Sequence, residues 1–96
     1  MDILVTYDIA DTEGSGASRL RRVAQICEKY GQRVQFSVFE CRLSPAQMAR
    51  MIGEIQDIID SQQDSVIVYR FPGRMEEARR SFGRSQEHRI GQPWIL

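Results

Sequence analysis

Histidine is almost missing from this chain. His88 is the only one, and it lies in a charged tail segment where a surface role is expected rather than catalysis. Without a second imidazole there are no paired histidine metal ligands, no Cys-His arrangement and no base to activate a serine. Neither a GxSxG string nor a phosphate-cradling P-loop string occurs. Cysteine is confined to Cys27 and Cys41, each on an expected regular element and without metal-ligand spacing. Both read as reduced, partly buried thiols of a cytoplasmic protein. No apolar run approaches the ~20 residues of a membrane span. The first residues have neither a basic n-region nor a cleavage site, so no signal peptide is expected.

Lysine is scarce too, with Lys29 standing alone among 13 basic residues that are otherwise arginine. They balance 13 acids to a net charge of zero, which argues against a bulk electrostatic nucleic-acid binder. Arginine's rigid fork suits bidentate phosphate contacts, but a GC-rich genome produces the same bias. The charges are segregated. Arg19, Arg21, Arg22 and Lys29 fall in one segment and Arg70 through Arg89 in another, whereas Glu54, Asp57, Asp60 and Asp64 form an acidic stretch with no base among them. A neutral chain can therefore carry one basic and one acidic face.

The 96 residues present fit a single domain, 1–96, with 84–96 as a docking tail, because Ile90 to Leu96 is too apolar to float free. The chain opens on an apolar, β-branched run, Ile3 to Tyr7, that ends on the carboxylate of Asp8. Asp11 to Ser18 is rich in Gly, Ser, Thr and Asp and reads as a loop. Leu20, Val23, Ala24, Cys27 and Tyr30 then recur at helical spacing, predicting a helix over 18–30 that stops at Gly31. Periodicity makes 32–43 one long strand, with Val34, Phe36 and Val38 on one face and Arg33, Gln35, Ser37 and Phe39 on the other. Ser44-Pro45-Ala46-Gln47 is a capping-box helix start, and Met48, Met51, Ile52, Ile55, Ile58 and Ile59 carry the apolar stripe to about Ser61. Gln62-Gln63-Asp64 turns the chain into a strand over 65–71, apolar on both faces and so expected to be buried. A connector over 74–78 and a short final strand over 79–83 complete it. The pattern predicts an α+β domain, two helices covering one face of a mostly antiparallel sheet. The other face, with Thr6, Asp8, Gln35 and Ser37, is left uncovered.

Chemistry then falls to the carboxylates. Asp8 at the end of a central strand is either a capping or turn acid or a metal ligand. One Asp is a poor Mg²⁺ site, since that ion takes six oxygens. An isologous dimer through the uncovered face would bring Asp8 onto its own copy and let one cation neutralise both.

At this point the strings Tyr7-Asp8-Ile9-x-Asp11 and Tyr30-Gly31-x-Arg33-Val34-Gln35-x-Ser37-Val38-Phe39-Glu40, with an arginine-rich helix between them, closely resemble the CRISPR-associated protein 2 family. The resemblance covers nearly the whole chain in order, spacing and length. It implies a ferredoxin-like fold (βαββαβ plus a short C-terminal strand) in a sheet-to-sheet homodimer, with 32–43 bent into two strands near Phe36 and Ser37. It also implies an Mg²⁺-dependent endonuclease, with Mn²⁺ able to stand in, acting on RNA or double-stranded DNA in CRISPR adaptation. Carried over by position, Asp8 from both subunits is the catalytic metal ligand. Arg19, Arg22 and Arg33 contact nucleic acid, while Tyr7, Ser37 and Phe39 support the site. The loop over 12–17, the Cys41 ending and the Pro-Trp-Ile-Leu tail are most similar to the type I-C branch. The alternative is a non-catalytic dimeric scaffold that bridges copies of the CRISPR-associated protein 1 integrase and binds duplex DNA. A small-molecule sensor or RNA-recognition module loses, because no exposed aromatic pair sits on a central strand.

Overall fold

The computed structural model describes residues 1–83. The expectations placed on Arg84, His88, Arg89 and the apolar tail around Trp94 lie outside the described residues. The elements run β1 (Asp2–Asp8), α1 (Ala17–Tyr30), β2 (Gly31–Gln35), β3 (Val38–Arg42), α2 (Pro45–Ile58), β4 (Ser65–Phe71) and α3 (Met75–Ala78). The strands form one sheet in the order β2-β3-β1-β4, every neighbouring pair antiparallel.

Strand alternation explains where the core sits. Ile3, Val5 and Tyr7 of β1 share a face with Phe39 and Cys41 of β3. Against them pack Val23 and Cys27 of α1 and Met51 and Ile55 of α2, all buried. Both long helices therefore cover this one face. The α2 start has the expected capping box, Ser44 Oγ accepting from the Gln47 amide at 3.2 Å and Gln47 Oε1 accepting from the Ser44 amide at 2.9 Å. Lys29 and Tyr30 at the end of α1 both donate to Glu54, tying the helices together. Lys29 is thus committed to an interhelical pair. Gly31 ends α1 with extended backbone, and its lack of a side chain is what matters. A Cβ there would come within 2.3 Å of the Glu40 carbonyl oxygen and 2.5 Å of Cys41 Sγ.

Three expectations change. The single strand over 32–43 is two, joined by a turn at Phe36-Ser37, with a register shift between Arg33 and Gln35. That irregularity breaks the alternation assumed from periodicity. Arg33 pairs with Phe39 on the helix-covered face and Gln35 with Val38 on the other, so Phe39 lies in the core, not beside Gln35. Strand β4 is an edge strand rather than a buried one. Its Val66 and Val68 pack on the core, but Ile67 and Tyr69 point to the open face and stay about half exposed, at 47% and 48%. No strand forms over 79–83. The connector instead contains the short helix α3, held by the Met75 amide donating to Asp2 Oδ2 at 2.9 Å, and Arg79 beyond it binds the buried Glu40. The segment's polar groups are thus engaged by side chains of β1 and β3.

The open face carries Leu4, Thr6 and Asp8 of β1, Val38 and Glu40 of β3, and Ile67, Tyr69 and Phe71 of β4. Residues 75–79 cross its Asp2 and Glu40 end, and the Asp8 end stays exposed. Among the described residues no helix is long and apolar enough to cross a membrane.

Candidate metal centre and nucleic-acid interface

Asp8 is the last residue of β1 and sits directly across from Ser65, where β4 begins. Its carboxylate is exposed on the uncovered face. Asp8 borders a concave patch between this strand end, α1 and the β2–β3 turn, lined also by Arg21, Glu28, Arg33, Phe36 and Ser37. Two strand ends and one helix face build this patch, so its geometry follows from how the β2–β3 turn is held.

Tyr7 and Phe39 hold that turn. The Tyr7 amide donates to the Ser37 carbonyl at 3.1 Å and its hydroxyl to the Phe36 carbonyl at 3.4 Å. Its ring stacks on Phe39 with centroids 6.1 Å apart. Burial pushes the Tyr7 phenol above its ordinary value, reinforced by Cys27 and opposed by Arg33. Both aromatic rings are therefore buried supports beneath the patch. Above them Phe36 projects into solvent with 91% of its surface exposed.

The three arginines expected to meet nucleic acid are in different situations. Arg33 lies 5.1 Å over the Phe39 ring and pairs with Glu28 at 3.4 Å, and its Nε is buried without a hydrogen-bond partner among the described residues. Arg19 is turned inward onto Asp64 at 2.8 Å, with its side chain only 18% exposed. Arg22 is exposed but does not line the patch. Arg21, named from the sequence in the same basic segment as Arg19 and Arg22, lines it and forms no ion pair among the described residues.

Asp64 and Phe36 were missed. Asp64 looked like one member of a solvated acidic stretch, and nothing in that stretch signalled its partner 45 residues earlier. The signal for Phe36 was available, since a large apolar residue at the expected bend has no core to enter.

A divalent cation fits only in part. Among the described residues, no group of three or more His, Cys, Asp or Glu is placed to hold a metal. Asp8 offers a hard oxygen donor of the kind Mg²⁺ or Mn²⁺ takes, but one chain supplies a single such carboxylate at this position.

The model for the family described as CRISPR associated protein Cas2 matches residues 1–79 of this chain. A Chlorobaculum tepidum protein named CRISPR-associated endoribonuclease Cas2 is 44% identical over 80 residues, covering 79% of this chain and 83% of that protein. A Halalkalibacterium halodurans protein named CRISPR-associated endonuclease Cas2 is 44% identical over 70 residues, 73% of each chain. The solved structure of Streptococcus pyogenes Cas2 at pH 6.5 superposes with a TM-score of 0.79 at 40% identity, covering 86% of this chain and 100% of that one.

Proposed function

This chain belongs to the CRISPR associated protein Cas2 family, and from that premise we propose that it is an Mg²⁺-dependent endonuclease of CRISPR adaptation. In this reading it hydrolyses phosphodiester bonds of RNA or double-stranded DNA at a site shared by two copies of Asp8. The observation that carries the reading is the exposed Asp8 carboxylate at the end of β1 on the uncovered sheet face, with Arg21 of α1 and Arg33 lining a concave patch that reaches the same strand end from the helix side. The strand order and the two helices on one face support a ferredoxin-like domain, and the half-exposed Ile67 and Tyr69 support a sheet-to-sheet homodimer. The protein acts in the cytoplasm, with the CRISPR-associated protein 1 integrase as its partner.

Within such a dimer the Asp8 carboxylate of each copy would be the residue to hold a divalent cation, whose charge would relieve the repulsion between the two carboxylates. When bound, that cation supplies Lewis-acid polarisation of a phosphoryl oxygen and an activated water, so no side-chain base is required. Arg21 and Arg33 hold the phosphate backbone at the edge of the patch, and the Tyr7–Phe39 stack keeps Ser37 and Phe36 at a fixed height beside it. The second reading, a dimeric scaffold that spaces integrase copies along duplex DNA, draws support from the single carboxylate that each chain contributes.

The test is Asp8→Asn, which keeps shape and removes charge, assayed on RNA and duplex DNA with Mg²⁺ or EDTA. Cleavage should disappear while the folded dimer and DNA capture with the integrase persist. Full activity in the purified variant means Asp8 is not the ligand. Loss of the folded dimer means Asp8 is a structural acid closing the strand.

A further inference from the structure

Asp64 stands immediately ahead of β4, and its side chain is fully buried at 0% exposure. A lone carboxylate removed from water is strongly disfavoured, so its partners reveal its purpose. Oδ1 accepts from the Ala10 amide at 2.9 Å and from Arg19 Nη2 at 3.4 Å. Oδ2 accepts from Arg19 Nε and from the Asp60 amide, both at 2.8 Å. Burial pushes this carboxyl up, and the Arg19 bond with the Ala10 and Asp60 amides outweighs it, leaving the group below its ordinary value.

The same arginine closes a ring around Ala10. Its Nη2 also donates to the Ala10 carbonyl at 3.3 Å and its Nη1 to the Ser15 carbonyl at 3.2 Å. Both backbone polar groups of Ala10 are thereby fixed by one ion pair. Gly16, just before α1, comes so close that a Cβ there would sit 1.8 Å from the Ala10 carbonyl oxygen. Asp11 next to Ala10 has a positive φ of 53°, and its carboxylate accepts from the Ser15 amide and hydroxyl at 3.0 Å each. The exit of β1, the entry of α1 and the entry of β4 all converge two residues beyond Asp8. Its cross-strand partner Ser65 is the residue after Asp64.

We propose that Asp64 and Arg19 are positioning residues for Asp8, an internal ion pair that clamps the end of β1 and so aims the Asp8 carboxylate. The inference rests on the reading of Asp8 as the metal ligand and adds how that ligand is aimed. It also moves Arg19 from the nucleic-acid surface to the interior and leaves phosphate contact to Arg21 and Arg33.

The experiment compares Arg19→Gln, Arg19→Lys, Asp64→Asn and Arg21→Gln in the full-length dimer. Amide exchange at Ala10 should accelerate at least ~10-fold in Arg19→Gln. Because Asp64 then loses its only cationic partner among the described residues, the melt should also fall, so rates are compared at a temperature where every variant is folded. Single-turnover cleavage should fall at least ~10-fold and the Mg²⁺ needed for half-maximal rate should rise several-fold. Duplex affinity in EDTA and its salt slope should match wild type. Arg19→Lys should recover part of the rate, and the Arg19→Gln/Asp64→Asn double variant should be no slower than Asp64→Asn alone. Arg21→Gln should instead lower the salt slope by about one. A lowered slope in Arg19→Gln makes Arg19 a contact residue and overturns the proposal. So does an unchanged rate and Mg²⁺ requirement despite faster Ala10 exchange. Should Asp64→Asn fail to fold, the Arg19 pair decides alone. Cleavage that survives Asp8→Asn removes the Asp8 reading itself, a result distinct from an Asp8-dependent activity that ignores Arg19.

Discussion

Replacing Ile67 and Tyr69 together by alanine should separate the proposed dimer while leaving each chain folded. Both side chains stand on the face of β4 opposite the helices, at 47% and 48% exposure, so neither fills the core. Burying a large apolar side chain outright stabilises by ~1.5–3 kcal/mol, so the half still exposed on each contributes about 1 kcal/mol on burial. A two-fold axis counts each position twice, giving about 4 kcal/mol and a dissociation constant roughly 1000-fold weaker. Sedimentation equilibrium over a wide concentration range reads that change directly, with Gln56→Ala on the exposed side of α2 as a control. Denaturant midpoints taken at concentrations where wild type and variant are both monomeric check that the fold survives. A dimer of undiminished affinity in the double variant refutes the reasoning. It would place the two-fold contact elsewhere, and the two Asp8 carboxylates would no longer meet.

Phe39→Ala should cost about 3–5 kcal/mol in chemical denaturation, because the ring is fully buried between Tyr7 and the Arg33 guanidinium. A cost under about 1 kcal/mol with activity abolished would make Phe39 a contact residue instead of a support. Asp2 should show in acid. Its carboxyl is lowered from 3.8 to about 2, chiefly by the Arg42 hydrogen bond and further by the Met75 amide, against the opposing effect of burial. A depressed carboxyl stabilises the fold above its unfolded value and loses that contribution as pH falls from about 4 through 2. The stability gap between wild type and Asp2→Asn should therefore narrow over that window, and a gap constant from pH 7 to 2 contradicts the assignment.

The legible parts of the fold are those written in local chemistry. The β-branched run into Asp8, the helical spacing from Leu20 to Tyr30 and the Ser44–Gln47 box each specify an element without reference to the rest of the chain. Residues 32–43 misled because a two-residue turn with a bulge preserves the look of alternation while exchanging faces, and only pairing with β1 reveals it. The strand over 65–71 misled for a related reason. Apolar residues on both faces signal burial on both faces, and within a single chain only one is covered. At the site, Asp8 was legible from its place at the end of an apolar strand, and the resemblance supplied its expected role. The inward turn of Arg19 was not legible, since an arginine on a helix looks solvated until the residue 45 positions away that binds it is known. The two short β2–β3 turn residues show the converse. Their bend came from the resemblance, and the Tyr7 bonds to Phe36 and Ser37 give its physical cause.

The central claim is that one cleavage site is made from two copies of Asp8. The most direct measurement uses dimers assembled from differently tagged wild-type and Asp8→Asn chains, purified as the mixed species and assayed with Mg²⁺ beside both parent dimers. A shared site predicts that the mixed dimer, which holds one Asp8, is nearly as inactive as the double Asp8→Asn dimer. A mixed dimer with about half the wild-type rate would show that each chain carries its own complete site, and the shared-carboxylate account would be wrong.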